Sequence, residues 1–250
     1  MTAPYTLAID IGGSGIKSLL LDGQGNPISD RLRKPTPRPA IPSAILLVIQ
    51  ELAIAHGQFH RLAVGFPGVI RNGITRGAIN LDPSWDDFPL QRVLQDMLGV
   101  PVRLANDADV QGLGAIQGKG VELVITLGTG FGSALFVNGQ LVPNLEMGQH
   151  YFRGRDTYEQ RLGQAALDCV GVEVWNRRLL KAIASLQLLF NYDHLYIGGG
   201  NAKKITVPLP ANVTVVSNDQ GLLGSIKLWQ GAINSEFGGI IKLCKAQTEP

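Results

Sequence analysis

The sequence predicts an α/β protein built from two related lobes, with an anionic ligand held between them. Three observations predict it. Short apolar runs ending in glycine turns alternate with amphipathic runs of helical period. The stretch 7–22 (LAIDIGGSGIKSLLLD) has a second copy at 123–141 (LVITLGTGFGSALFVNGQL). At 250 residues the chain is long enough for two lobes, each with its own core.

In the first copy, Leu7 to Ile9 is an apolar run that suits a buried strand, and Asp10 breaks it with a charge. Gly12, Gly13, Ser14 and Gly15 follow. With little Cβ bulk, such a turn can gather backbone N–H groups into an anion-binding concavity. Lys17 and a second apolar run then close at Asp22-Gly23. This reads as strand, phosphate-cradling turn and returning strand, with Asp10 placed to hold a hydrated Mg²⁺. An ordinary Gly-rich hairpin has the same local pattern. The second copy favours the phosphate reading. Laid over the first without gaps, Leu7, Ile9, Gly12, Gly23 and Gln24 fall on Leu123, Ile125, Gly128, Gly139 and Gln140. There, Thr126, Thr129 and Ser133 offer hydroxyls to phosphate oxygens, and Gly128, Gly130 and Gly132 allow close backbone approach. Neither copy follows the P-loop or the dinucleotide pattern. Two such hairpins at domain spacing imply a duplicated lobe with a phosphate chain between the copies.

Between the copies, 31–42 (RLRKPTPRPAIP) is basic and Pro-rich. It is an extended solvated connection or, through Arg31, Arg33, Lys34 and Arg38, an extension of an anion track. Ser43 is a candidate N-cap for a helix over 44–56. The run 62–66 ends at Pro67-Gly68, placing backbone at the edge where α/β sheets bind ligands. Asn80, with donor and acceptor, suits a sugar hydroxyl, and Trp85 can pack on a sugar ring; an Asx turn with a core Trp fits equally. A helix over 89–98 ends at Gly99, and a strand over 100–104 carries Asn106-Asp107 at its tip. A carboxylate there is a candidate general base, with Asp109 the weaker one. A helix over 110–116 runs back from the site.

After the second copy, Glu146 can accept hydrogen bonds from vicinal hydroxyls; a surface carboxylate is the plain alternative. Helices are expected over 157–167 and 172–190. A strand over 195–197 runs into Gly198-Gly199-Gly200, a third glycine turn, with Lys203 and Lys204 beyond. A strand over 213–216, a helix over 222–232 and a tail complete the chain.

The formal charge of +2 gives no case for nucleic acid. Two cysteines far apart, Cys169 and Cys244, make neither a disulfide framework nor a thiolate zinc site and suit a reducing cytoplasm. No run approaches the length of a membrane span and no signal peptide is visible.

Taken in order, DIGGSGIK (10–17), the set Asn80, Leu81 and Trp85, NDAD (106–109), TLGTGFGSALF (126–136), EMG (146–148) and GGG (198–200) resemble the ROK sugar-kinase family, and within it the polyphosphate glucokinase branch. The likeness runs from about 7 to 232. It implies the actin/hexokinase-like (ribonuclease H-like) fold, two α/β lobes with the active site in the interlobe cleft. The lobes would be 1–105, completed by a C-terminal helix near 220–234, and 106–219, with a tail over 235–250. It also implies phosphoryl transfer to the 6-hydroxyl of glucose from polyphosphate, ATP or both. An ATP-only hexose kinase and a catalytically silent sugar- or polyphosphate-binding protein are the other readings. By resemblance Asp107 is the base and Asn106 a hydroxyl ligand. Pro67, Gly68, Asn80 and Glu146 belong to the sugar pocket. Asp10, Gly12 to Gly15, Lys17 and Thr126 to Gly132 hold phosphates and hydrated Mg²⁺, Asp10 reaching the metal through water. Gly198 to Gly200 seat adenosine or the far phosphates. A homodimer in the cytoplasm is implied too. Two departures stand out. Gln149 occupies the place of the family's sugar-holding His, with His150 one residue on. The family's zinc cysteines are absent, as in the polyphosphate branch.

Overall fold

The computed structural model describes residues 3–217 and 220–230. The expected tail, the end of the last expected helix and Cys244 lie outside the described residues. The chain starts with β1 (Thr6–Ile11), β2 (Gly15–Leu21) and β3 (Leu32–Pro35), followed by α1 (Pro42–His56) and β4 (Arg61–Phe66). A small hairpin of β5 (Val69–Arg71) and β6 (Ile74–Arg76) leads to α2 (Leu90–Leu98), β7 (Val102–Asn106) and α3 (Asp107–Ala115). Next come β8 (Val121–Leu127), β9 (Phe131–Val137) and β10 (Gln140–Val142), and a hairpin of β11 (Tyr151–Arg153) and β12 (Asp156–Thr157). Helices α4 (Tyr158–Leu162) and α5 (Gln164–Phe190), strands β13 (His194–Gly198) and β14 (Val213–Val215), and α6 (Gln220–Gly224) with a 3-10 turn Ser225–Trp229 complete it.

Two five-stranded sheets share one plan. The first has the order β3-β2-β1-β4-β7, the second β10-β9-β8-β13-β14. In each, an antiparallel hairpin stands beside two further strands parallel to its first. The duplication is therefore structural as well as textual. The register refines the gapless overlay. Asp10 pairs with Lys17, seven residues on, whereas Thr126 pairs with Gly132, six residues on. The second turn is one residue shorter, so Lys17 corresponds to Gly132 and not to Ser133.

Several local readings shift. The basic Pro-rich run contains the edge strand β3, which ends at Pro35 because proline has no N–H for a ladder. Ser43 does not cap α1: Ile41 is at the N-cap and Pro42 takes the first turn, where its fixed φ suits a helix and its missing N–H costs nothing. Asn106 caps α3, so that helix begins at Asp107, earlier than the apolar period indicates. Gly99 ends α2 in the left-handed region at φ 65°. The expected helical break near 168–171 is Gly171, at φ 74° within α5.

Apolar side chains of the first sheet, α1 and α2 form one core around fully buried Trp85, whose ring lies 5.1 Å from Phe66 and 5.3 Å from Phe88. Its Nε1 donates to the Ala40 carbonyl at 2.8 Å. Trp85 is thus core and offers no face to a sugar. A second core surrounds Trp175 beneath the second sheet. Between them lies α3, where Val110 and Leu113 pack with Ala63 and Ala105 of one sheet and Val124, Ala134 and Phe136 of the other. A Cβ at Gly112 would sit 2.6 Å from the Phe136 ring, so glycine lets α3 close on β9. Leu222 and Ile226 pack back onto Ala8, Leu19 and Leu21.

Candidate active site

Both hairpin turns open into one cleft of about 440 Å³. Asp107 lies at its floor, at the N-terminus of α3. Strands β1, β4 and β7 bring Asp10, Gly65 and Ala105 into lateral register, so Asp10 and Asp107 flank Gly65. A Cβ there would touch Asp107 Cα at 3.4 Å and Asp10 Oδ1 at 3.8 Å; its absence leaves the two carboxylates facing one space.

That proximity sets the electrostatics. Burial, then repulsion from Asp10, pushes the Asp107 carboxyl up to about 7; Glu146 adds to this, while the Ala108 N–H and Lys17 oppose it. Asp107 Oδ1 accepts from the Ala108 N–H at 2.7 Å. Lys17 Nζ donates to Asp10 Oδ2 at 2.9 Å across the β1–β2 pair. Asn106, almost fully buried, caps α3 through Oδ1, accepting from Ala108 N at 2.8 Å. Its Nδ2 donates to the Gly68 carbonyl at 3.2 Å and to Glu146 Oε1 at 3.1 Å. Burial, then repulsion from Glu159, raises the Glu146 carboxyl.

The first turn is braced from outside. Thr36, Arg38 and Arg33 donate to the carbonyls of Gly12, Gly13 and Ser14 at 2.5, 2.8 and 3.4 Å. With its carbonyls committed in this way and the Gly12 N–H closed on the Gly15 carbonyl at 3.0 Å, the turn offers the amides of Gly13 and Ser14. In the second turn the Gly128 carbonyl accepts from Gln164 N at 2.9 Å and from Asn201 Nδ2 at 3.2 Å. Gly132 faces the Thr126 hydroxyl, which a Cβ would approach to 2.4 Å. Asn80 stands between the turns: a Cβ at Gly13 would meet its Cβ at 3.2 Å, and one at Gly130 its Nδ2 at 3.7 Å.

Pro67, Gly68, Thr129, Glu146 and Gln149 line the cleft with these groups, as do Gly199 and Gly200. Gly198 does not; it ends β13 behind the cleft, against the Gln111 amide. Gly199 has φ 90°, and a Cβ on it would strike the Leu127 backbone at 2.2 Å. Ser133 is not a free phosphate ligand. Its hydroxyl donates to the Leu145 carbonyl at 2.6 Å and accepts from Met147 N at 3.1 Å, fixing both neighbours of Glu146. Asp109 faces away, into a separate cavity, where Oδ2 accepts from Asn144 N at 3.1 Å and Oδ1 has no hydrogen-bond partner.

The expected cation track divides. Arg31 and Arg33 line the cleft, Lys34 pairs with Glu51, and Lys203 and Lys204 lie outside the cleft wall. Glu159 and Gln164 are cleft residues that sequence reasoning passed over. Glu159 accepts from Phe131 N at 3.2 Å, a link between distant segments that no local motif announces.

The sequence model of the ROK family matches residues 6–150. A polyphosphate glucokinase of Mycobacterium tuberculosis (strain ATCC 25618 / H37Rv) is 32% identical over 241 residues, covering 90% of this chain and 91% of that protein. The crystal structure of an inorganic polyphosphate/ATP-glucomannokinase from Arthrobacter sp. strain KM superposes with a TM-score of 0.79 at 33% identity, covering 91% of this chain and 99% of that one. A ROK family glucokinase from Streptomyces griseus, in complex with glucose and AMPPNP, shares the fold at a TM-score of 0.73 and 20% identity, covering 90% and 98%. With its two duplicated lobes of the actin/hexokinase-like fold, the chain belongs to the ROK family.

Proposed function

We propose that this protein is a glucokinase that transfers the terminal phosphoryl group of inorganic polyphosphate, and also that of ATP, to the 6-hydroxyl of glucose. The observation that carries the reading is Asp107, a half-buried carboxyl raised to about 7 at the floor of a cleft walled by two glycine turns. The relatives named above, acting on polyphosphate and glucose, support the substrates.

Glucose lies against Pro67, Gly68 and Asn80, with Asn106, Glu146 and Gln149 as hydroxyl partners. Asp107 takes the proton from O6 as O6 bonds to the terminal phosphorus. The bond from that phosphorus to its bridging oxygen breaks, and the shortened polyphosphate leaves with the electron pair. The Gly12 and Gly128 amides close their own turns on the Gly15 and Gly130 carbonyls, and the amides of Gly13, Ser14, Gly15, Thr129 and Gly130, with Lys17 and the Thr126 hydroxyl, hold the phosphate oxygens where charge develops. Among the described residues no group of three or more acidic, His or Cys side chains forms a metal cage. Two carboxylates facing one space, Asp10 and Asp107, nonetheless suit a Mg²⁺ that keeps most of its waters, and Asp10 would hold it through water. Bound there, Mg²⁺ supplies charge neutralisation on the phosphates.

ATP is accommodated beside Gly200, where a Cβ would meet nothing within 4 Å. Leu188 and Leu189, 87% and 59% exposed on α5, fit burial in a homodimer. The exposed free thiol of Cys169 suits a cytoplasmic location. The test is a coupled assay of glucose 6-phosphate formation with polyphosphate or ATP over a range of salt. Polyphosphate is the better donor, and its KM rises with salt more than that of ATP because a polyanion releases more counterions. ATP preferred at every chain length and salt level replaces this reading with an ATP-only hexose kinase. No product with either donor leaves a silent binding protein.

A further inference from the structure

A groove of about 290 Å³ lies between β11 and helices α4 and α5, apart from the cleft. Phe152 and Val174 supply its apolar lining. Every other lining residue is a cation: Arg153 from β11, Arg161 from α4, and Arg177, Arg178 and Lys181 from α5. Five of the chain's 22 Lys and Arg thus meet in one groove, although the formal net charge is only +2. No carboxylate lines it. Arg161 is committed to Asp156, with Nε 2.7 Å from Oδ2, and Arg178 Nη1 donates to the Arg161 carbonyl at 3.4 Å. The side chains of Arg153, Arg177 and Lys181 make no ion pair or hydrogen bond among the described residues. Arg177 and Lys181 stand one helical turn apart, where like charges repel. Folding gathers five cations with a single carboxylate, Asp156, paired to one of them, and an anion bound in the groove would relieve the repulsion among the rest.

We propose that this groove binds inorganic polyphosphate and anchors the far part of a long chain whose reacting end lies in the cleft, an inference that rests on the polyphosphate reading above. Helix α4 separates the two places. Glu159 lines the cleft and Arg161, two residues on, lines the groove. With side chains a helix is about 10 Å across, so a long polyanion reaches both while tripolyphosphate occupies one. Guanidinium forks match phosphate oxygens in pairs. The one aromatic in the groove, Phe152, is already stacked on Tyr158 with centroids 4.6 Å apart, which disfavours a stacked base and favours a bare phosphate chain. Engagement of both places makes the second contact intramolecular, so apparent affinity grows with chain length.

The test uses R177E/K181E, both positions exposed and outside the cleft, with R177Q/K181Q as a milder pair. R177E/K181E raises the KM for long-chain polyphosphate about tenfold while that for tripolyphosphate changes less than about twofold, and R177K/K181R restores long-chain use. An unchanged long-chain KM in both the Glu and Gln pairs overturns the proposal. Binding of end-labelled long-chain polyphosphate, followed by anisotropy, reads the groove without turnover and so separates it from the kinase reading. Should the wild type turn over no polyphosphate, weaker binding by R177E/K181E still supports the groove and equal binding overturns it. Stronger competition by single-stranded RNA than by polyphosphate at equal phosphate concentration also overturns it.

Discussion

The sharpest consequence of the site is an acid limb in the activity profile, set by Asp107. A general base works ionised, and this carboxyl is raised from 3.8 to about 7 by burial first and then by Asp10. At about pH 6 only about a tenth of the protein carries the ionised base, and at about pH 8 about nine tenths does. kcat/KM, which reports the free enzyme, therefore falls roughly tenfold per pH unit below about 7. The limb moves when its cause is removed. Glu146→Gln deletes one repelling carboxylate, and the limb shifts to lower pH even where the plateau drops. Asp107→Asn keeps fold and sugar binding, loses turnover by about 10²-fold or more, and shows no such limb. The assay is initial rate of glucose 6-phosphate formation at subsaturating glucose across the range, with calorimetric glucose titration to confirm binding by the variant. A flat wild-type profile, or an Asp107→Asn variant with near-normal turnover, refutes the assignment.

Three further outcomes are expected. Gln149 lines the cleft in place of an imidazole, so Gln149→His lowers the KM for glucose; an unchanged or higher KM counts against a sugar role there. Gly199→Ala forces a side chain into φ 90° against the Leu127 backbone, and thermal or denaturant unfolding should show a loss of about 2–4 kcal/mol; near-wild-type stability would mean the turn has room to shift. Asp109 is raised to about 8, chiefly by burial, so its protonated form stabilises the fold at acid pH and that contribution is lost as pH rises through about 8. Asp109→Asn should therefore melt progressively higher relative to wild type between about pH 4 and 8, with the difference levelling off above that, and a constant difference would place the titration elsewhere.

Much of this protein is written locally. The duplicated lobe follows from two glycine turns set in apolar runs, because strand period and turn chemistry are properties of adjacent residues. The same holds for Gly99 ending a helix, Gly171 interrupting one, and Asn106-Asp107 standing where a strand meets a helix. The gathering of Asp10, Asp107, Glu146 and both turns is what the family resemblance of the ordered motifs implies, and all of them line one cleft. Other features depend on what packs against a residue from far along the chain. Trp85 and Asn80 are equally plausible sugar partners in the sequence; burial takes Trp85 into the core and leaves Asn80 between the turns. Ser133 has the hydroxyl of a phosphate ligand, but the backbone of Leu145 and Met147 claims it. Lys34 turns to Glu51, while Arg153, Arg161, Arg177, Arg178 and Lys181, spread over a strand and two helices, converge on one groove. The pairing register, a residue out of step between the two hairpins, also escapes a gapless overlay. Periodicity and turn chemistry determine which elements form, whereas partner choice, burial and the raised Asp107 carboxyl are decided only when distant charges and surfaces meet.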